Sequence, residues 1–157
     1  MYLVVHGVAG MVIGGQITNP LLSFVSSFVA HFLLDIIPHD NLELEEWMSK
    51  GREKEKFMLV GLIDILILVI IIALLNKNHL TVNKPAVITG MIGGLLPDLI
   101  WVFGILIKTK NRLAVWFKEK HTQIHRLLYK KSYIPNYLSS SIQILFLITL
   151  VAGYILF

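Results

Sequence analysis

Cysteine is absent from this 157-residue chain, and charged residues make up only 15% of it. Without cysteine there are no disulfide bonds or thiolate metal sites, so nitrogen and oxygen atoms must hold any bound metal. Hydrophobic residues reach 55% and the mean hydropathy is +0.72, more apolar than ordinary soluble domains. The start of the chain also lacks the basic stretch of a cleavable signal peptide, so we expect it to be retained as the first helix.

Long apolar segments fill most of the sequence, at residues 2–18, 20–37, 57–75, 85–107 and 138–157. Each is near the roughly 20 residues that a helix needs to cross the hydrocarbon of a bilayer. A further segment, 113–128, has apolar residues at helical spacing and suits a helix on the membrane surface. The sequence therefore predicts one all-α domain, a polytopic membrane bundle of about five transmembrane helices with one or two interfacial helices.

Basic residues are divided unevenly between the predicted loops. Twelve of the 14 lysines and arginines lie in the loops 40–56 and 108–136, against Lys77 and Lys84 on the other side. The positive-inside rule then places the N-terminus and both long loops in the cytoplasm, in a protein of the inner membrane. Basic loops beside membrane spans serve as topology signals and contact lipid headgroups, so lipid is an expected partner and nucleic acid is not.

Small residues and one proline predict where helices meet. Gly10 and Gly14 are four residues apart, as are Gly90 and Gly94, and such spacing lets two helix backbones approach closely. Pro97 removes a backbone hydrogen bond within its segment and bends the helix, which opens space beside the next residue, Asp98.

Histidine and aspartate side chains interrupt the apolar segments. An ionisable side chain at membrane depth costs several kcal/mol, so such residues usually mark function. On the predicted topology all of them fall toward the cytoplasmic leaflet, which indicates one shared site rather than scattered polar accidents. They are His6, His31, Asp35, His39, Asp40, Asp64, Asp98, His121 and His125.

The spacing of these residues favours a metal centre. His31 and Asp35 are four residues apart, as are His121 and His125, and each pair would point from one helical face toward a single ion. Imidazole and carboxylate ligands suit Zn²⁺, and also Mn²⁺ or Fe²⁺. We expect one or two divalent ions, zinc first, with His6, His31, Asp35, His39, Asp98, His121 and His125 as ligands. The alternatives are protonated aspartates and hydrogen-bonded pairs that only lock the helices.

Two more residues are candidates for catalysis. Asp64 is expected to be a further ligand or the general base. Arg126 would hold an anionic headgroup through its guanidinium.

Several of these motifs resemble known families. His6 with the glycines after it, Leu-Leu-Pro97-Asp98 and the late histidine pair resemble small bacterial inner-membrane proteins described as metal-dependent hydrolase-like. The run from His31 to Asp35 is also similar to the His-x-x-x-Asp motif of zinc-dependent phospholipase C and related nucleases. The resemblance implies zinc ligation by His31 and Asp35. The chain departs from the membrane family at Ile100, where a second acidic residue is usual.

Three functions follow as hypotheses. The first is a metal-dependent hydrolase that acts on a phosphoester or ester in a lipid-like or phosphorylated substrate at the cytoplasmic leaflet. The second is a proton- or cation-coupled transporter, although residues 69–75 and 87–92 carry no ionisable group to continue a path across the bilayer. The third is a non-catalytic membrane scaffold with a structural metal.

Overall fold

A computed structural model describes residues 1–37, 50–77, 84–106, 110–125 and 135–156. Within these ranges the chain forms six helices and no strand, which confirms the all-α class. The helices are α1 (Leu3–Gln16), α2 (Pro20–Asp35), α3 (Glu53–Lys77), α4 (Pro85–Leu106), α5 (Arg112–His125) and α6 (Asn136–Leu156).

Three of the helices are long and apolar enough to cross a membrane. Their candidate spans are Met58–Asn76 in α3, Pro85–Gly104 in α4 and Tyr137–Leu156 in α6. With 14 and 16 residues, α1 and α2 are shorter than the sequence predicted. They extend about 21 and 24 Å at 1.5 Å per residue, less than the roughly 30 Å of hydrocarbon. The predicted count of about five transmembrane helices is therefore not confirmed.

The boundary between α1 and α2 follows from local sequence. The side chain of Asn19 accepts a hydrogen bond from the backbone N–H of Leu22 at 3.0 Å, which caps the start of α2. Pro20 takes the first helical position, where its missing N–H costs nothing. The chain consequently reverses within a few residues, and α2 packs back beside α1.

Helix α1 lies in the interior of the bundle. It contacts α2, α3, α4 and α6, and its side chains Val5, Val8 and Met11 are fully buried. The exposed surfaces of the helices around it carry large apolar side chains, among them Leu21, Val29, Leu62, Ile92 and Leu145. A continuous apolar exterior of this kind marks a surface that contacts membrane.

The close approach of α1 and α4 depends on glycine, as the spacing predicted. A Cβ atom at Gly10 would collide with the carbonyl of Gly90, and one at Gly94 would collide with the carbonyl of His6. The paired positions run in opposite directions along the two helices, so α1 and α4 are antiparallel. This contact brings the first turns of α1 beside the second half of α4, where Asp98 lies.

Candidate metal centre

Four helices bring polar side chains together at one end of the bundle. His6 comes from the start of α1, His31 and Asp35 from the end of α2, Asp98 from the second half of α4, and His121 from α5. The antiparallel arrangement of α1 and α4 and the tight turn before α2 explain why positions so distant in sequence meet. Helix α5 contacts α2 and α4 at this end and adds His121.

Four of these residues form a group with the dimensions of a metal site. One ligand atom from each of His31, Asp35, Asp98 and His121 lies within 4.8 Å of the others. His31 Nε2 lies 3.0 Å from Asp35 Oδ2, 3.1 Å from His121 Nε2 and 3.7 Å from Asp98 Oδ1. His121 Nε2 lies 3.5 Å from both Asp35 Oδ2 and Asp98 Oδ1. Ligands held tetrahedrally at about 2.0–2.1 Å from zinc are about 3.3 Å apart. The observed separations fall on both sides of that value, so these residues fit a single small ion.

A backbone carbonyl orients the first histidine. His31 donates its Nδ1–H to the carbonyl oxygen of Gly94 at 2.7 Å, in the buried contact between α2 and α4. This hydrogen bond fixes the tautomer and turns the lone pair of Nε2 toward the two carboxylates. Histidine ligands in metalloproteins are commonly oriented by such a bond from the other ring nitrogen.

His6 approaches the same two carboxylates from a position beside His31. Its ring stacks on that of His31, with centroids 3.9 Å apart and an interplanar angle of 29°. Its Nε2 is 3.1 Å from Asp35 Oδ1 and 3.9 Å from Asp98 Oδ2. His6 thus joins the group through the second oxygen of each carboxylate. The amino group of Met1 also lies 3.2 Å from Asp35 Oδ1.

The centre is almost closed to solvent. The side chains of His6, His31 and Asp35 are fully buried and that of His121 is 3% exposed, whereas Asp98 is 15% exposed. Aromatic rings close the α5 side, where Phe32, Phe117 and Trp101 surround His121 with centroid separations of 5.8, 6.1 and 6.2 Å. Two carboxylates in such surroundings repel each other, and a divalent cation between them would remove that cost.

Asp64 has a different position from the one the sequence suggested. Its Oδ2 accepts a hydrogen bond from the backbone N–H of Leu3 at 2.7 Å, at the start of α1. Tyr2, the residue before α1, makes no side-chain cap of its own. A carboxylate at this point satisfies a free N–H and interacts favourably with the helix dipole. Asp64 therefore caps α1 from α3, and its role as ligand or general base stays a prediction.

The remaining predicted site residues cannot be placed relative to the centre. His39, Asp40 and Arg126 lie outside the described residues, as does the side chain of His125. The position of these four groups relative to the centre stays a prediction from sequence.

Sequence reasoning missed two contributors near the centre. The carbonyl of Gly94 gives no sequence signal, because every residue has one. Gln143 of α6 does leave a signal, because Ser139 and Gln143 are polar residues four apart in an apolar helix. Gln143 accepts a hydrogen bond from the N–H of Tyr2 at 2.6 Å, and thereby fixes the beginning of α1 beside His6.

Comparison with known proteins adds no relative. No protein-family model matches the chain, and searches of curated proteins and of solved structures found no match. Any argument about function starts from the geometry of the centre.

Proposed function

We propose that this protein is a metal-dependent hydrolase of the membrane, with a divalent ion, zinc first, held by His31, Asp35, Asp98 and His121. The observation that carries the proposal is the spacing of the four ligand atoms, all within 4.8 Å of one another. Two imidazoles and two carboxylates match the ligand preferences of zinc. An ion held by these residues would act as a Lewis acid toward an ester.

A hydrolase needs part of its site to be accessible to substrate and water. Asp98, at 15% exposure, is the most open member of the group of four. Its carboxylate is also 3.5–3.7 Å from the two histidine nitrogens, whereas Asp35 comes within 3.0 Å of His31. We assign the approach of substrate to the Asp98 side of the centre.

Charge favours an anionic substrate at the lipid surface. Exposed basic side chains lie just before α3 and just before and along α5, and a phosphoester headgroup would be attracted to them. They include Lys50, Arg52, Lys110, Arg112, Lys118 and Lys120. We propose that the substrate has a phosphoester or other ester group and lies in or at the leaflet on this side, the cytoplasmic leaflet of the inner membrane by the positive-inside rule.

A scaffold with a structural metal is the second candidate. Four protein ligands fill a tetrahedral site, and structural zinc sites are closed in that way while catalytic sites keep an open position. The group of four taken alone supports this reading. Transport is less favoured, because residues 69–75 of α3 and 87–92 of α4 carry no ionisable group that would continue a path across the bilayer.

Metal analysis of detergent-purified protein tests the proposal. We expect wild type purified without chelators to hold zinc, and Asp35→Asn, which keeps the side-chain volume, to hold at least about tenfold less. Ser23→Ala is the matched control, because Ser23 is a buried polar residue on the same helix that donates to the carbonyl of Ala86, away from the centre. A metal-loaded protein would then be assayed with phosphodiester and phospholipid substrates.

Each outcome separates the candidates. Wild type without metal, or Asp35→Asn with undiminished metal, contradicts the metal centre. Bound metal with phosphodiester turnover that is lost in Asp35→Asn supports the hydrolase. Bound metal without turnover of any ester favours the scaffold.

A further inference from the structure

The two oxygens of each carboxylate in the centre lie near different histidines. Asp35 turns Oδ2 toward His31 and His121, at 3.0 and 3.5 Å, and Oδ1 toward His6, at 3.1 Å. Asp98 does the same, with Oδ1 near His31 and His121 and Oδ2 3.9 Å from His6. Each carboxylate therefore approaches the stacked rings of His6 and His31 with a different oxygen, the arrangement of bridging ligands.

Among the residues that the structure describes, His6 has no hydrogen-bond partner that explains its burial. Its side chain is fully buried, yet neither ring nitrogen makes a hydrogen bond of acceptable geometry. Its Nε2 is close to Asp35 Oδ1, but the direction of the ring nitrogen does not suit a hydrogen bond to that oxygen. A buried imidazole left in this state costs free energy, because its lost hydration is not replaced.

We propose that His6 Nε2, Asp35 Oδ1 and Asp98 Oδ2 form a second divalent-metal position, bridged to the first by both carboxylates. The proposal rests on the proposed function and extends it from one ion to two. The stacked rings of His6 and His31 are 3.9 Å apart, and the Nε2 atom of each lies within 4 Å of both carboxylates. Ions bound by the two rings would have a similar separation, and paired ions in two-metal enzymes are about 3.5–4 Å apart.

The second position changes what the centre can do. The first has four protein ligands and is complete, whereas the second has three. A zinc ion with three protein ligands keeps one place for water or substrate, as in catalytic sites. The second position thus provides the open coordination that hydrolysis needs and the first lacks. The substrate class that suits such a pair is a phosphoester, whose attacking and leaving oxygens two ions can stabilise.

A single-ion centre is the competing explanation. In that case His6, with the amino group of Met1 at 3.2 Å, would only balance the charge on Asp35 Oδ1. The two explanations differ in the number of ions per chain and in whether the ions are magnetically coupled. If His6 only positioned Asp35, the protein would hold one ion and show no coupling.

The test is Mn²⁺ loading of the detergent-purified full chain, with metal analysis and electron paramagnetic resonance. We expect two ions per chain and an exchange-coupled spectrum for wild type, because two bridging carboxylates couple adjacent Mn²⁺ ions. His6→Gln should retain one ion and give an uncoupled spectrum. Ser23→Ala should match wild type, and circular dichroism should show that both variants are helical.

The outcomes are distinct from those for the proposed function. One ion per chain in both wild type and His6→Gln overturns the second position and leaves the single-ion hydrolase standing. No ion in wild type after loading with either Mn²⁺ or Zn²⁺ overturns both proposals. If His6→Gln does not fold, wild type alone decides, because one uncoupled ion per chain contradicts a bridged pair.

Discussion

His31 donates its Nδ1–H to the carbonyl of Gly94 at 2.7 Å, and a Cβ atom at Gly94 would meet the carbonyl of His6. One glycine therefore joins the packing of three helices to the orientation of a candidate ligand. Its lack of a side chain lets α1 approach α4, and its carbonyl sets the direction of the His31 ring. The ligand geometry and the helix packing depend on the same short stretch of α4.

Replacing Gly94 with alanine should destabilise the protein. The added Cβ would collide with backbone, which cannot rotate away, and overpacking of this kind costs about 1–3 kcal/mol. Gly61→Ala is the matched control, because a Cβ at Gly61 in α3 meets nothing within 4 Å. Reversible unfolding in mixed micelles would measure both variants. Equal stability of Gly94→Ala and Gly61→Ala would contradict the packing described for α1 and α4.

Asp64→Asn should lower stability while the metal content stays unchanged. The variant keeps an oxygen that can accept the N–H of Leu3 but removes the charge, and a negative charge at a helix N-terminus contributes about 0.3–1 kcal/mol. Unfolding and metal analysis on the same preparation would show the two effects separately. Normal stability combined with loss of ester hydrolysis would instead support Asp64 as the general base.

Phe117→Ala should weaken metal binding without removing a ligand. Phe117 contacts the rings of Phe32 and His121, so its truncation leaves α5 less firmly placed over the centre. Loss of a group that orients a ligand typically lowers metal affinity about 10–100-fold. Competition with a chromophoric zinc chelator would measure this.

The control for that variant is Leu113→Ala, on the same helix. Leu113 is one of the exposed apolar residues and makes no ring contact with His121. We expect its zinc affinity to equal that of wild type. Equal affinity of Phe117→Ala and wild type would contradict the role assigned to the aromatic rings.

Metal removal should lower the thermal stability of the protein. An ion that binds only the folded state at 100 times its dissociation constant adds about 2.7 kcal/mol to the free energy of unfolding. EDTA should therefore lower the unfolding temperature of wild type, and added zinc should restore it. Asp35→Asn should be insensitive to both additions, and a response equal to that of wild type would exclude Asp35 as a ligand.

Much of the fold was predictable because lipid imposes simple rules. The apolar runs predicted helices at nearly the observed positions of α3, α4 and α6, since backbone in hydrocarbon must satisfy its own hydrogen bonds. The first two helices were predicted too long. Apolar composition continues past Gln16 and Asp35, but backbone geometry ends each helix there, and composition alone does not report an end.

The sequence predicted which residues form the candidate centre better than it predicted how they are arranged. Charge counting predicted His6, Asp35 and Asp98 toward one side of the membrane, because each lies in the half of its apolar segment that is nearer the basic loops. The i, i+4 spacing also paired His31 with Asp35, and the structure keeps them 3.0 Å apart. Asp64 shared the signal of depth and yet caps α1, since depth in the membrane does not specify which neighbour a side chain faces.

Sequence alone determined the class of the protein: an all-helical, cysteine-free chain with segments long and apolar enough to span a membrane, interrupted by histidines and aspartates. These properties are local, because hydropathy and helical spacing act within one segment. The tertiary structure decided which side chains meet, that Asp35 and Asp98 each turn one oxygen toward His31 and the other toward His6, and that Gly94 orients the His31 ring. Those relations depend on the antiparallel packing of α1 against α4, and only the assembled bundle fixes that register.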